Sequence, residues 1–236
     1  MATTLIAPDY NPAPIAPLPL QTPSTPSVVA PIASGVHNWR QAPPTIVGES
    51  LTLRALQPSD AGSLLSLLTA TEVARFLSPP PTSLEGFERF ITWANQKREE
   101  GSYVCFGVVP RGMEHAVGVF QLRALDNSFT SAEWGFALGR PFWGTGLFLE
   151  GATHTLDFAF GSVGVQRLEA RSAVGNGRGN AALRKIGAVH EAILRRSFRK
   201  DGLVHDQVLW SILDIDWLAS RSASLGVAAG HAERWH

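Results

Sequence analysis

The chain has 236 residues, 44% of them hydrophobic, with 20 basic against 20 acidic side chains and a single cysteine, Cys105. That is enough apolar material for one large core or two small ones, while zero net charge speaks against a protein whose whole surface binds nucleic acid. One cysteine excludes an internal disulfide and a cysteine-based zinc site.

Residues 1–44 hold 10 of the 16 prolines and only two charged residues, Asp9 and Arg40. Such a segment cannot pack a core, and it reads as a disordered, polyproline-like arm. Leu51-Thr52-Leu53-Arg54-Ala55 alternates at period two and predicts a strand. Ser59-Asp60 is placed to cap the helix carrying Leu64, Leu65, Leu67 and Leu68. Thr82 and Glu85 have capping-box spacing ahead of a helical face of Leu84, Phe87, Phe90, Ile91 and Ala94. Residues 103–109 and 116–125 are β-rich and flank Pro110-Arg111-Gly112, which predicts a hairpin. A strand over 132–138, a helix over 147–160, a strand over 167–173 and a short helix over 180–186 follow. Strands near 189–198 and 205–213 form a second hairpin across Lys200-Asp201-Gly202. Residues 219–236 are small, polar and unpatterned, and read as a flexible tail. The working domain is then 45–218. Its fold class is mixed α/β (α+β), with a mostly antiparallel sheet and one strand-helix-strand crossover. No apolar run reaches the roughly 18 to 20 residues of a membrane span. The first 30 residues lack Lys and Arg, so no secretory signal is expected, and the expected location is the cytoplasm.

The most informative stretch is Glu133-Trp134-Gly135-Phe136-Ala137-Leu138, then Phe142-Trp143-Gly144-Thr145-Gly146-Leu147. A strand ends, two glycines make a turn, and a helix begins. The first turn of a helix offers unpaired N–H groups and a partial positive charge, which suits phosphate. The bland alternative is a plain strand-to-helix turn. A P-loop is excluded because Leu147, not Lys, follows Gly146. The dinucleotide fingerprint is excluded because Leu149 stands where its third glycine belongs. Gly-x-Ser-x-Gly and His-Glu-x-x-His are absent. Between Arg178 and Lys200 lie seven basic residues and one acid, Glu191, which calls for an anionic partner or a solvated basic face.

From about Leu51 to Trp217 the chain resembles the GNAT acyl-CoA N-acetyltransferase superfamily, in particular its ribosomal-protein N-terminal acetyltransferase branch. The resemblance rests on Phe142-Trp143-Gly144-Thr145-Gly146 and on Asn176 eleven residues before Gly187. Lys185-Ile186-Gly187 and the closing Asp206-Gln207-Val208-Leu209-Trp210-Ser211-Ile212-Leu213 strengthen it. It implies a central sheet that splays open between the 132–138 and 167–173 strands, with acetyl-CoA as co-substrate in the gap and no metal. The pantetheine arm would pair with the backbone of Phe136, Ala137 and Leu138. The diphosphate would meet the turn from Phe142 through Trp143, Gly144, Thr145 and Gly146 to Leu147. Asn176 and Asn180 would lie beside the cofactor, and Arg178 or Lys185 near its 3′-phosphate.

The implied reaction is direct attack of a primary amine on the thioester in a ternary complex. The acceptor is a protein N-terminal α-amine or a small amine. Glu133 is the candidate base: it shares a strand face with Gly135 and Ala137, which leaves room beside it. Asn176 is the second candidate catalytic residue. Against these stand a structural glutamate and a loop-capping asparagine.

Two positions depart from the family. Leu183 stands where many members carry a tyrosine as general acid, and Pro141 stands where many carry Gln or Arg. Two rival readings follow: a non-catalytic CoA- or acyl-CoA-binding domain, and an RNA-associated protein using the 178–200 basic cluster. Neither a membrane nor nucleic acid is the expected partner. The oligomeric state stays open, a homodimer included.

Overall fold

A computed structural model describes residues 38–222. Strands β1 (Ile46–Val47), β2 (Leu51–Ala55), β3 (Tyr103–Pro110), β4 (Gly118–Ala124), β5 (Ser131–Leu138), β6 (Arg167–Ala173), β7 (Val189–Lys200) and β8 (Leu203–Leu213) form one sheet. Their order is β1-β2-β3-β4-β5-β6-β8-β7. Helices α1 (Ala61–Leu68), α2 (Thr71–Ala74), α3 (Leu84–Glu99), α4 (Leu147–Phe158) and α5 (Gly177–Lys185) flank it, and a last helix, α6, runs over 214–222. The expected mixed α/β fold with a mostly antiparallel sheet is therefore present. The one parallel pair is β5 with β6, joined through α4.

Period-two alternation puts one set of strand side chains on each face of the sheet. Leu53, Phe106, Phe120, Trp134, Phe136, Leu168 and Trp210 point to the face covered by α4 and α5. Tyr103, Cys105, Val119 and Ala137 point to the face covered by α1 and α3. Helix α4 lies close on the sheet because it carries Gly151 at the contact: a Cβ there would come within 2.5 Å of the Phe120 ring. A run of rings (Phe120, Phe136, Phe148) fills the space on either side, with Phe136 and Phe148 centroids 4.7 Å apart.

Several local readings shift. Helix α3 is capped by Ser83, whose hydroxyl accepts from the Gly86 amide at 3.1 Å, so the cap lies one residue beyond Thr82. Helix α5 starts at Gly177, before the expected residue 180, because Asn176 caps it. Asp60 precedes α1 but makes no side-chain cap bond to it. Its carboxylate is wholly buried and accepts from the Arg54 guanidinium at 2.8 and 2.9 Å, the Gln57 amide at 2.8 Å and the Ala116 amide at 2.8 Å. It thus staples β2, the turn before α1 and the β3–β4 connection together. The Lys200-Asp201-Gly202 region turns as expected. Asp201 and Gly202 both have positive φ (49° and 76°), the dihedrals of a tight hairpin turn.

Residues 1–37 of the expected arm and 223–236 of the expected tail lie outside the described residues. Residues 38–44 are described. Trp39 packs edge-on against Phe129 at 5.6 Å, and the Arg98 guanidinium donates to the Arg40 carbonyl. Residues 219–222 continue α6, where Arg221 pairs with Asp157 at 2.9 Å.

Burial raises the Asp60 pKa, but donors from Arg54 and from the Gln57 and Ala116 amides pull it the other way, to a net position below the usual carboxylate value. A depressed folded-state pKa contributes stability above the unfolded value and loses it as pH falls through the folded one. Asp60→Ala leaves two amides without their acceptor and a half-buried guanidinium without its carboxylate. It should cost about 3 kcal/mol at neutral pH, with the deficit shrinking in acid as the wild-type carboxyl protonates. Urea unfolding of both proteins at pH 7 and pH 3.5 measures this.

Candidate active site

The sheet parts in its middle. β5 and β6 pair at Ser131 with Arg167, Ala132 with Leu168 and Glu133 with Glu169, and no further. Beyond that point Trp134–Leu138 keeps its β4 partners and Ala170–Ala173 keeps its β8 partners. The facing edges of the two strands are left open as a V between them. Backbone N–H and C=O groups on such edges must find partners outside the ladder. The splay expected between these two strands is the feature observed.

One lip of the V is the β5–α4 turn. Residues 140–142 form a tight helical turn in which the Phe142 amide donates to Gly139 and the Trp143 amide donates to the Arg140 carbonyl at 3.1 Å. The Trp143 amide is therefore spent inside the protein, and the candidate cradle begins at Gly144. Gly144 and Gly146 have φ of 79° and 92°, a region closed to most side chains. A Cβ on either would meet nothing within 4 Å, so the turn faces open space. Gly146 precedes α4 with no side-chain cap, and among the described residues no side chain is seen to accept from the first amides of the helix, which are therefore open to a ligand. Thr145 closes the turn by donating its hydroxyl to the Phe142 carbonyl at 2.9 Å. The Trp143 indole donates to the Leu138 carbonyl at 2.7 Å. That takes one lone pair of one of the three β5 residues expected to pair with pantetheine. Phe136 and Leu138 bury their side chains on the α4 face and Ala137 on the other, so only backbone is available from them. Pro141 opens the short turn, and Arg140 reaches away to Glu72 at 2.8 Å.

The other lip is the β6–α5 loop. Asn176 is buried, and its Oδ1 accepts from the Gly179 amide at 3.0 Å, the bond of a helix cap. Asn180 donates to the Ala173 and Asn176 carbonyls, both at 3.0 Å, and accepts from the Trp210 indole at 3.0 Å. Both asparagines hold the loop in shape. Leu183, at the position of the family tyrosine, is fully buried. Ser172, buried on the open part of β6, has a hydroxyl oxygen with no hydrogen-bond partner among the described residues. A lone serine in a strand gives no sequence signal, and the reading above missed it.

Glu133 sits at the apex of the V, on the α1/α3 face with Gly135 and Ala137, as the alternation predicts. It is only 3% exposed. Its Oε2 accepts from the Arg123 guanidinium at 2.5 Å, across the β4–β5 ladder. Glu169, its neighbour on β6, pairs with Arg167 at 3.1 Å. Arg167 in turn holds Glu191 at 2.5 Å, and Glu191 accepts from Ser211. On the same face Tyr103 donates to Gln121 at 2.5 Å, and burial pushes its hydroxyl pKa well up. Cys105 beside it is buried, and burial pushes its thiol up to about 12, so it is a packing residue.

The lips meet where the Arg178 guanidinium lies 4.2 Å over the Trp143 ring. Trp143 packs against both hydrophobic clusters, which marks it as the residue at the rim. Beside this contact lies a pocket of about 450 Å³ that also takes in Arg75 and Phe76 from the α2–α3 connection. Nothing in the sequence links residue 75 to residue 178. Only the fold brings them together. Of the basic cluster, Arg195, Arg196 and Arg199 are exposed along β7, at the sheet edge. Lys200 instead donates to the Ala74 and Leu77 carbonyls at 2.5 and 2.8 Å. Among the described residues no helix is long and apolar enough to cross a membrane, and no group of three or more His, Cys, Asp or Glu is placed to hold a metal ion.

Residues 50–189 match the acetyltransferase (GNAT) domain family. The "Putative ribosomal N-acetyltransferase YdaF" of Bacillus subtilis strain 168 is 26% identical over 180 residues, covering 72% of this chain and 95% of that protein. The "Uncharacterized N-acetyltransferase p20" of Bacillus licheniformis is 26% identical over 170 residues, covering 72% and 96%. A solved structure described as RimL, a ribosomal L7/L12 alpha-N-protein acetyltransferase in complex with coenzyme A, superposes with a TM-score of 0.64. It is 20% identical and covers 72% of this chain and 97% of that one, a likeness of fold.

The cap on α5 has a direct test. Asn176→Ala should destabilise the protein by about 1–2 kcal/mol, whereas Asn176→Asp, which keeps an acceptor oxygen for the Gly179 amide, should recover most of that. Urea midpoints of the three proteins measure it.

Proposed function

The chain belongs to the GNAT acetyltransferase family, and from that premise we propose that it transfers an acetyl group from acetyl-CoA to a primary amine within a ternary complex. The observation that carries this reading is the parting of β5 from β6 after Glu133 and Glu169, with an uncapped helix start on one lip. The residues present fit the cofactor. The outward amides from Gly144 to Leu147 would take the diphosphate, and the open glycines let it come close. The free edge of Phe136–Leu138 would hold the pantetheine arm. Asn176 and Asn180 would serve by fixing the loop that faces it.

Acetyl-CoA supplies the thioester carbonyl; the chain supplies position and proton transfer. Attack needs a neutral amine, so a proton must leave it. Glu133 is the candidate acceptor, directly or through water, because it stands at the apex where the strands part. Arg123 holds one of its carboxylate oxygens at 2.5 Å, which fixes the direction of the group. Among the described residues the one tyrosine is Tyr103, buried in β3 and bonded to Gln121, and Leu183 carries no proton to give. Ser172, Asn176 or water would then meet the departing thiolate.

The acceptor class we carry is a protein N-terminal α-amine, with a small amine as the other member. The printed names of YdaF and RimL concern ribosomal proteins, and they motivate the first. A second reading is favoured by one observation. Glu133 is buried and ion-paired, as a purely structural glutamate would be. On that reading the domain binds CoA without turning it over.

Two measurements decide. Calorimetric titration with acetyl-CoA and with CoA should give micromolar binding to the wild type. Gly146→Val should weaken both by at least about tenfold, since a side chain would both strain the left-handed turn and block the amides. Full-strength binding to that variant would count against the cradle. Glu133→Gln should keep CoA binding, lower kcat by roughly a hundredfold and abolish the acidic limb of the pH–rate profile. A loss of stability with unchanged kcat would make the Arg123–Glu133 pair structural.

A further inference from the structure

Of the two residues set against the CoA 3′-phosphate, Lys185 lines a pocket with Gly146 and Leu149, beside the candidate cradle, whereas Arg178 lines the pocket between the lips. With the 3′-phosphate given to Lys185, the charge of the pocket between the lips is unused by the cofactor. The rim of that pocket carries Arg75, Arg140 and Arg178 against one carboxylate, Glu72. Glu72 is already matched by Arg140 at 2.8 Å. Two guanidiniums are left over. Among the described residues neither rests on an acid: Arg75 lies 5.1 Å over the Phe76 ring, and Arg178 lies 4.2 Å over the Trp143 ring. A ring face holds an exposed guanidinium only weakly, whereas a carboxylate or phosphate takes it with charged, often bidentate hydrogen bonds. Both are exposed, so both can turn to a ligand. The pocket's volume suits a small molecule or the first residues of a chain. It does not take in Gly144–Leu147, the amides assigned above to the diphosphate.

We infer that the acceptor carries an anionic group, carboxylate or phosphate, close to its amine, and that Arg75 and Arg178 select it. This rests on the acetyl-transfer reading and deepens it: the amine would enter the V while the anion stays at the rim between the two guanidiniums. The net charge of the whole protein is zero, so the preference comes from this rim and not from a general field.

The test uses matched pairs in the full-length protein: Ala-Glu-Glu-amide against Ala-Gln-Gln-amide, and phosphoethanolamine against ethanolamine. At low salt the wild type should favour the anionic member of at least one pair by about tenfold or more in kcat/KM. The double variant Arg75→Gln/Arg178→Gln should erase that ratio and leave calorimetric affinity for CoA and for dephospho-CoA within about twofold. Equal use of both members of each pair overturns the inference. So does a double variant that keeps the ratio but loses CoA affinity, because the arginines would then belong to the cofactor. Binding of the acetylated peptides Ac-Ala-Glu-Glu-amide and Ac-Ala-Gln-Gln-amide reads the pocket without turnover. An anionic preference there, with no acetylation of any amine, supports the pocket and overturns the transfer reading alone. No preference in binding or in turnover overturns the pocket.

Discussion

The site proposed for this molecule depends on one interruption of strand pairing. Within a sheet, each strand normally satisfies the backbone of both neighbours. Here β5 and β6 share three residue pairs and then separate, each still held by its outer neighbour. The outer halves of the sheet stay intact, with seven residue pairs between β4 and β5 and seven between β6 and β8. The gap is therefore bounded on each side by a block of continuously paired strands. The packing agrees with this. α4 sits on the β4/β5 block through Gly151 and the ring cluster, and α5 sits on the β6/β8 block through Asn180 and Trp210. Each lip of the V is thus an element anchored in its own block.

The apex carries the second constraint. Parallel register puts Glu133 and Glu169 side by side, two carboxylates on one face where like charges repel. Arg123 takes the first and Arg167 the second, and Arg167 goes on to Glu191. Alternating signs across the strands offset the repulsion. The same arrangement fixes where the Glu133 oxygens point. A buried pair of this kind is weak evidence for net stability, because desolvation opposes the Coulomb gain. Its stronger consequence is orientation: a carboxylate clamped from one side presents its remaining lone pairs in a fixed direction, which a proton acceptor requires.

The elements were largely legible in the sequence, because periodicity and turn chemistry are local signals. The strand ending at Leu138, the two-glycine turn and the helix from Leu147 are written in consecutive residues, and so is the Asp201-Gly202 hairpin. What failed was of two kinds. Near misses came from equivalent caps in sequence: Thr82 and Ser83 are both good caps, and only the direction of chain entry picks Ser83. Larger misses came from contacts that join distant positions. Asp60 looks like a helix cap until the β3–β4 connection brings the Ala116 amide onto it. Glu133 looks like a free carboxylate until the register of β4 delivers Arg123. Arg75 had no reason to be singled out, because Arg140, Trp143 and Arg178, which the fold brings to the same pocket, lie roughly 65 to 100 residues away in sequence.

The same long-range logic governs how Arg75 is held. Its loop has little structure of its own: α2 is one turn long, and the chain then runs irregularly to Ser83. The loop is anchored inward by Val73 and Leu77, which are fully buried. It is anchored sideways by Lys200, at the end of β7, whose ammonium donates to the carbonyls of Ala74 and Leu77. Those two carbonyls bracket Arg75 and Phe76. Partial burial lowers the Lys200 pKa, the cost of bringing an ammonium onto carbonyls in place of water. The β7–β8 hairpin thus does more than close the edge of the sheet. It reaches back across the mouth of the V and fixes the backbone on both sides of Arg75, while the guanidinium itself stays exposed and rests only on a ring. A fixed backbone with an exposed cationic tip suits recognition of a charged group on an arriving molecule.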